Sequence, residues 1–251
     1  MLLQDTLNKL QHLKLYGMNK ALDEQRMNTS TQDMGFDDRL GLLIDAEIHD
    51  RDTRRLSRLL KAAKFKVDAC VEDIDYRASR GLDRQVVATL STCDWVQKSL
   101  NTIITGPTGV GKTWLGCAFG QQAARKGYTV IYKRLSRLLE ELEIAYGDGS
   151  LAKLRAKIAR VDLLILDDWA LAPLTVRGRH ELLELVDDRI RSGSILISSQ
   201  LPIEQWHDYI GEPTIADAIL DRLVHSAHRI DLMGESLRKT LEARALAGKE
   251  A

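Results

Sequence analysis

Residues 102–113 read TIITGPTGVGKT, a short apolar run that passes directly into a glycine-rich loop and a lysine–threonine pair. The loop matches GxxxxGK followed by Ser or Thr, in which glycines let backbone N–H groups turn toward phosphate oxygens at the start of a helix. In such a loop Lys112 reaches the β- and γ-phosphates of a nucleotide and Thr113 ligates Mg²⁺. The sequence therefore predicts a nucleotide and Mg²⁺ as cofactors. The predicted nucleotide-binding residues are Gly106, Pro107, Thr108, Gly109, Val110, Gly111, Lys112 and Thr113.

Two carboxylates end another strongly apolar run. Residues 162–168 read DLLILDD, and the carboxyl ends of parallel strands face the ligand crevice of an α/β sheet. Asp167 is therefore predicted to hold Mg²⁺, directly or through water. Asp168 is predicted to act as the general base that takes a proton from the attacking water.

A polar pair follows a further apolar run. Residues 194–198 (SILIS) precede Ser199 and Gln200, and a polar side chain at the end of this strand would position the attacking water beside the γ-phosphate. The sequence does not decide between Ser199 and Gln200. For these residues, as for the two carboxylates, the alternative is a polar cap on a turn without a catalytic role.

The chain after residue 100 alternates short apolar runs with helical stretches, which is typical of a parallel α/β sheet. The predicted strands are 102–105, 128–132, 162–166, 194–198 and 229–232. The predicted helices are 112–126, 135–146, 151–160, 177–191 and, near the end of the chain, 236–247.

Residues 1 to about 90 show apolar side chains three or four positions apart, the period of an amphipathic helix, without a hairpin signal. The first such set is Leu3, Leu7, Leu10 and Leu13. A second set spans residues 36–48, and a third, over residues 56–63, is assigned to a separate helix. We therefore predict two domains, an all-helical one over residues 1–90 and an α/β one over residues 91–251.

Composition disfavours several classes of protein. The 251 residues contain 36 Lys plus Arg and 36 Asp plus Glu, so the formal net charge is zero, which argues against a uniformly basic nucleic-acid coat. No apolar run approaches the ~20 residues of a membrane-spanning helix, and the N-terminus lacks a signal-peptide core. The three cysteines form no CxxC pair, which disfavours a disulfide framework or a zinc site. We expect a cytoplasmic protein without a membrane partner.

Zero net charge conceals a segregation of charge. Residues 51–66 hold seven basic residues and one acid, whereas residues 23–50 hold eight acids and two arginines. Five of the basic residues recur at helical spacing and share one face, which suits the phosphate backbone of duplex DNA without base readout. The alternative is a solvated helix whose arginines pair with neighbouring acids. The predicted DNA contacts are Arg51, Arg54, Arg55, Arg58, Lys61 and Lys64.

Longer stretches of the chain resemble the AAA+ ATPases and, within them, the group of helicase loaders and IstB-type transposition helpers. These stretches are GPTGVGKTWL, VDLLILDDWA, ILISSQLPIEQWHDYIGEP, TIADAILDRLVHSAHRI and GESLRK, of which the last three are most similar to IstB-type helpers of bacterial insertion sequences. The resemblance covers nearly the whole chain. It implies an α/β AAA+ P-loop fold, with a parallel five-stranded sheet flanked by helices, an N-terminal all-helical domain and a small C-terminal helical lid.

The resemblance also gives roles to two arginines. AAA+ proteins bind ATP at a subunit interface, and Arg222 matches the arginine that a neighbouring subunit donates to stabilise phosphoryl charge. Arg238 matches the sensor arginine that contacts the nucleotide from the lid. The chain departs from the family at one point, because it has Asp167 and Asp168 where most members have Asp and Glu. The side chain at position 168 is therefore one methylene shorter than the usual base.

The function implied by the resemblance is an ATP-dependent helper of DNA transposition in the bacterial cytoplasm, at the nucleoid. ATP would favour a homo-oligomer on duplex DNA that recruits or stimulates a transposase, and hydrolysis would reset it. Three alternatives stay open. A replicative helicase loader would bind single-stranded DNA and a helicase ring. A small-molecule P-loop kinase would need neither DNA nor a neighbour's arginine, and a nucleotide-gated binding module would have negligible turnover.

Overall fold

A computed structural model describes residues 3–28, 31, 33–76 and 80–237. It forms two compact units, Met1–Arg58 and Leu59–Ala251. In chain order the elements are α1 (Leu3–His12), α2 (Tyr16–Met27), α3 (Phe36–Ala63), α4 (Arg84–Ser91), α5 (Asp94–Gln97), β1 (Thr102–Thr105), α6 (Lys112–Arg125), β2 (Val130–Arg134), α7 (Leu135–Gly147), α8 (Leu151–Ala159), β3 (Leu163–Trp169), α9 (Val176–Asp187), β4 (Ser194–Ser199), α10 (Trp206–Ile210), α11 (Pro213–Val224) and β5 (His228–Asp231). Short 3-10 turns lie at Val71–Asp73 and Ile203–Gln205. Over the described residues, no helix has the length and apolar character needed to cross a membrane.

The second unit is built on one sheet of five parallel strands in the order β2-β3-β4-β1-β5. The predicted five-stranded parallel sheet is therefore confirmed, with strand ends displaced by up to three residues. Because all strands run the same way, their carboxyl ends share one edge. There Thr105 of β1 is paired in register with Ser199 of β4 on one side and with Asp231 of β5 on the other.

The sheet is buried on both faces, which is why runs of apolar residues form the middle of its central strands. Residues 163–166 of β3 and 195–197 of β4 are all at most 2% exposed. Helix α6 packs closely on the sheet through glycine, since a Cβ on Gly120 would lie 2.6 Å from both the Ile165 side chain and the Phe65 ring. This close packing fixes the helix that follows the glycine-rich loop.

The first unit contains α1, α2 and most of α3. Gly17 allows a close approach of α2 to α3, because a Cβ there would lie 2.4 Å from the carbonyl oxygen of Ala46. The buried Glu47 carboxylate accepts hydrogen bonds from the backbone N–H groups of Gly17 and Met18, at 2.8 and 3.2 Å. Burial raises the pKa of Glu47, but the hydrogen bond from Arg51 and these two N–H groups bring it below the ordinary value. Glu47 thus acts as a cap for the start of α2.

The helix over residues 36–63 differs from the prediction. The predicted second and third helices are one continuous helix of 28 residues, Phe36–Ala63, so their assignment to separate helices was wrong. Residues 59–90 belong to the same compact unit as the sheet. Just after them, the carbonyl oxygen of Ser91 accepts a hydrogen bond from the Gln122 side chain of α6 at 3.1 Å. The division into functional domains at residue 90 stays a prediction. The predicted lid helix over 236–247 lies almost wholly outside the described residues.

Candidate nucleotide-binding site

The glycine-rich loop joins the carboxyl end of β1 to the amino end of α6. Its three glycines have φ values of +144° at Gly106, +87° at Gly109 and +101° at Gly111, a region that residues with a side chain rarely adopt. A Cβ on Gly106 would also lie 2.3 Å from the carbonyl oxygen of Leu232. Glycine is therefore required here. The loop stands at the amino end of a 14-residue helix, an arrangement that binds phosphate.

Lys112 lies over this loop. Its Nζ donates hydrogen bonds to the carbonyl oxygens of Gly106 and Pro107, at 2.6 and 2.7 Å. Burial lowers the pKa of Lys112, whereas the nearby carboxylates of Asp167 and Asp168 act in the opposite direction. The ammonium group is thus held by weak neutral acceptors, which phosphate oxygens can replace.

Asp167 is the most enclosed acid of the site, 1% exposed at the carboxyl end of β3. The Thr113 hydroxyl donates to its two carboxylate oxygens at 2.9 and 3.0 Å. Ser198 of β4 and Tyr132 of β2 also donate their hydroxyls to it. Burial raises the pKa of Tyr132, and the hydrogen bond to Asp167 raises it further, so the phenol stays a neutral donor. The structure brings together the two predicted magnesium ligands, Thr113 and Asp167.

Ser198 and Tyr132 were missed by the sequence reasoning. Each stands near the end of a strand that flanks β3 in the sheet. The strand order was the signal that the sequence lacked. With β2 and β4 known to be the neighbours of β3, polar side chains at their carboxyl ends become expected partners of Asp167.

Asp168 has different surroundings from Asp167. Its φ is +57°, and the pairing of β3 with β4 shifts between Leu166 and Trp169. Asp168 thus lies at an irregularity of the β3–β4 pairing. It pairs with Arg134 at 3.2 Å, and Lys66 lies 4.0 Å away. The Asp168 carboxylate therefore lies close to two cationic side chains.

Ser199, which ends β4, and Gln200, which follows it, differ in exposure and in hydrogen-bond partners. Ser199 is fully buried, and its hydroxyl donates to the carbonyl oxygen of Leu201 at 2.9 Å and accepts from the backbone N–H of the same residue at 3.0 Å. Ser199 therefore closes the turn after β4. Gln200 is exposed, and its side-chain oxygen accepts from the Thr108 hydroxyl at 2.7 Å. Of the two, Gln200 is the residue that contacts the phosphate loop.

Arg222 lies at the opposite edge of the sheet. The Asn101 side chain, just before β1, donates to the carbonyl oxygen of Arg222 at 3.1 Å and accepts from the Ile195 N–H at 3.0 Å. The end of α11 is thereby fixed at the amino ends of β1 and β4. The Arg222 guanidinium pairs with Asp187 and donates to the carbonyl oxygen of Ala218 at 2.7 Å. Arg222 is not part of the phosphate site of its own chain. Arg238 lies outside the described residues.

The predicted DNA contacts Arg51, Arg54, Arg55, Arg58, Lys61 and Lys64 are all exposed, and all except Lys64 lie in α3. Two of these residues have acidic neighbours. Arg51 pairs with Glu47 at 2.6 Å, and Arg54 pairs with Asp50 at 2.5 Å and lies 4.8 Å from the centre of the Tyr16 ring. Lys64 follows the end of the helix with a φ of +56°. Pairing with neighbouring acids, the alternative to DNA binding, is thus present at Arg51 and Arg54.

Comparison with known proteins identifies the family. Residues 8–245 match the family described as IstB-like ATP binding protein. The insertion sequence ATP-binding protein y4pL of Sinorhizobium fredii is 48% identical over 239 residues, which cover 95% of this chain and 98% of that protein. The insertion sequence IS1162 ATP-binding protein of Pseudomonas fluorescens is 51% identical over 203 residues, covering 80% and 88%.

Solved structures share the fold at low identity. DnaI is 18% identical with a TM-score of 0.55, over 70% of this chain and 93% of that one. AMPPCP-bound DnaA from Aquifex aeolicus is 18% identical with a TM-score of 0.56, over 74% of this chain but only 56% of that one. This chain therefore spans little more than half the length of DnaA. The expected AAA+ fold is confirmed. The family match extends from the first helix to beyond the last strand, and the chain belongs to the IstB-like ATP-binding proteins.

Proposed function

We propose that this chain is an ATP-dependent helper of DNA transposition. It assembles with further copies of itself on duplex DNA when ATP is bound, recruits or stimulates a separate transposase, and is reset by hydrolysis. It acts in the bacterial cytoplasm, at the nucleoid. The observation that carries the proposal is the position of Arg222 at the edge of the sheet opposite the phosphate loop. Relatives named as insertion sequence proteins favour transposition as the process.

The residues at the carboxyl edge fit Mg²⁺. The Thr113 hydroxyl and the Asp167 carboxylate are hard oxygen donors that already touch at 2.9 Å. Mg²⁺ is commonly held by one or two such groups together with phosphate oxygens. When bound, it supplies positive charge that neutralises the transferred phosphoryl group. Ser198 and Tyr132 hold the Asp167 carboxylate in place through their hydroxyls.

The remaining residues bind phosphate and handle water. Lys112 exchanges its loop carbonyls for β- and γ-phosphate oxygens. Asp168 takes the proton of the attacking water, with Arg134 orienting its carboxylate. Gln200 is better placed than Ser199 to orient that water, because the Ser199 hydroxyl is engaged in its own turn. Arg238 contacts the nucleotide from the lid.

Arg222 acts on the nucleotide of a neighbouring subunit. A guanidinium at the amino edge can reach a phosphate loop only if that loop belongs to another copy of the chain. Its charge then stabilises the phosphoryl group in the transition state, which makes hydrolysis depend on assembly. Assembly in turn places the basic residues of several copies on one DNA duplex.

The DNA contact is electrostatic. The exposed basic residues of α3 bind backbone phosphates without reading bases. Because Arg51 and Arg54 are paired with acids, we expect Arg58 and Lys61 to contribute more to binding. Affinity should fall linearly with salt on logarithmic axes, with a slope of about −0.9 for each phosphate neutralised.

The test measures oligomer size and duplex binding together, with ATP, with ADP and without nucleotide. Wild type is compared with Lys112→Ala, which removes a phosphate ligand, and Arg222→Ala, which removes the cation donated to the neighbour. We expect assembly on DNA only with ATP and failure in both variants. A monomer that responds to neither nucleotide nor DNA would contradict the proposal and favour a small-molecule kinase.

A helicase loader is the second candidate. The structural match to DnaI covers 93% of that chain, whereas the match to DnaA covers 56% of that one. A loader should prefer single-stranded to duplex DNA in the same binding assay. Preference for duplex DNA, together with retention of an added transposase, would support the transposition helper.

A further inference from the structure

The segment just after α3, residues 64–68, is fastened to α6. Lys64 takes a left-handed conformation, with a φ of +56°, and turns the chain out of the helix. The Phe65 ring packs against Gly120, where a Cβ would come within 2.6 Å of the ring. The Asp68 carboxylate accepts a hydrogen bond from Gln121 at 3.2 Å. The residue between these anchors, Lys66, is therefore held close to the helix that begins at the phosphate loop.

Lys66 points to the two carboxylates of the nucleotide site. Its Nζ lies 3.8 Å from Oδ2 of Asp167 and 4.0 Å from Oδ2 of Asp168. Its side chain is 30% exposed. In sequence it reads as one more basic residue of the run that begins at Arg51, but in space it belongs to the magnesium site. The function proposed above does not use it.

The charge balance of the site explains what such a cation does. Three hydroxyls contact Asp167, from Thr113, Ser198 and Tyr132, but they supply dipoles and no net charge. Among the described residues, the ion pairs that involve Asp167 come from Lys66. A buried carboxylate is costly without a compensating charge. Before metal arrives, Lys66 supplies such a charge beside that of Lys112, which lies near both carboxylates.

We propose that Lys66 is a resident cation that takes the place of Mg²⁺ on the Asp167–Asp168 pair while no metal is bound. The inference rests on the proposed function, since it concerns the same nucleotide site. Lys66 reduces the repulsion between the carboxylates and incoming phosphates, so nucleotide binds before the metal. The same ammonium charge opposes the entry of Mg²⁺ at Asp167. Lys66 therefore sets how strongly nucleotide binding depends on magnesium.

The test compares the affinity for a fluorescent ADP analogue in EDTA and in saturating Mg²⁺. In Lys66→Met we expect affinity in EDTA to fall about tenfold, while affinity in saturating Mg²⁺ stays within about twofold of wild type. The ratio of the two dissociation constants should therefore rise several-fold. The Mg²⁺ concentration that gives half of the binding change should fall in the same variant.

Two control variants separate charge from structure. Lys66→Arg keeps the cation and should retain the wild-type ratio, and Lys157→Met removes an exposed lysine of α8 and should retain it too. Equal losses in both buffers for Lys66→Met would make Lys66 a phosphate ligand and overturn the inference. No change in either buffer, with thermal unfolding as in wild type, would also overturn it. A wild type that binds no ADP in either buffer would instead refute the proposed nucleotide site itself, and this inference with it.

Discussion

The two edges of the parallel sheet carry different chemistry. The carboxyl edge bears the phosphate loop and two adjacent carboxylates, with Asp167 held by three hydroxyls. The amino edge bears more cations than acids, because the groove there is lined by Lys98, Arg189, Arg191 and Arg222 and by one acid, Asp221. In one chain the two edges are separated by the length of the strands. We therefore propose that a complete hydrolytic site needs the carboxyl edge of one copy and the amino edge of another.

The largest effect should come from Arg222→Ala. We expect hydrolysis in the presence of ATP and DNA to fall by about 10³-fold, because the variant does not assemble and no donated arginine stabilises the phosphoryl charge in the transition state. Binding of nucleotide by the free chain should not change, since Arg222 lies away from its own phosphate loop. A phosphate-release assay and a fluorescent-nucleotide titration measure the two quantities.

Mixing two inactive variants provides the control. A Lys112→Ala chain keeps its arginine and an Arg222→Ala chain keeps its phosphate loop, so the mixture contains some complete sites. We expect part of the activity to return on mixing. If it does not return while mixed oligomers form, the two edges do not complete each other.

The next largest effect is on the free energy of unfolding, through Arg189 at the amino edge of the sheet. The buried Arg189 guanidinium donates to the carbonyl oxygens of Ile158, Val161 and Ser194, at 2.7, 3.0 and 2.8 Å. Burial lowers the pKa of Arg189 to about 10. Arg189→Met should leave these acceptors unpaired and lower the free energy of unfolding by about 3 kcal/mol. Denaturant unfolding measures this, with the exposed Arg191→Met as the control for lost charge. Equal stability of both variants would show that Arg189 is not structural.

This contrast shows how much the sequence could predict. The phosphate loop is local, since eight consecutive residues and the strand before them define it, and the strand pattern after residue 100 is periodic. Both were predicted correctly. The boundary placed between the second and third predicted helices was wrong, because two apolar sets at helical spacing look the same in one helix or in two. No glycine or proline lies between residues 42 and 63 to end the helix.

The contacts of the site depend on strand order, which the sequence does not contain. Ser198 and Tyr132 contact Asp167 because β4 and β2 flank β3. Lys66 lies about a hundred residues from the carboxylates that it contacts. To decide whether Ser199 or Gln200 faces the phosphate loop, one must likewise know the direction of each side chain. Side-chain direction at the end of a strand depends on the turn that follows, and here the Ser199 hydroxyl is bound to Leu201.

A smaller effect tests the base at the carboxyl edge. Asp168→Asn removes the proton acceptor but keeps the shape, and asparagine tolerates a φ of +57° well. We expect hydrolysis to fall by about 10²-fold with nucleotide binding retained, as for other general bases. Arg134→Met is the companion variant, since it removes the cation that pairs with Asp168 and keeps the proton acceptor itself. Unchanged hydrolysis in Asp168→Asn would mean that another group takes the proton.

The smallest effect concerns the release of the Arg222 guanidinium from its ion pair with Asp187. In the structure its guanidinium is paired with Asp187, and both side chains are partly exposed, at 30% and 42%. Such a pair is worth at most about 1 kcal/mol, so a neighbour's phosphates can break it. In Asp187→Asn the arginine is no longer held back, and we expect the ATP concentration for half-maximal assembly on DNA to fall about two- to fivefold.

The neighbouring Asp188→Asn is the matched control for this last variant, because it removes the same charge from an exposed position on the same turn. It should leave the ATP requirement unchanged. A higher ATP requirement in Asp187→Asn would mean that Asp187 presents Arg222 to the neighbour and does not restrain it. The amino edge would then be preformed for its partner, and assembly would be limited at the carboxyl edge, where nucleotide and metal enter.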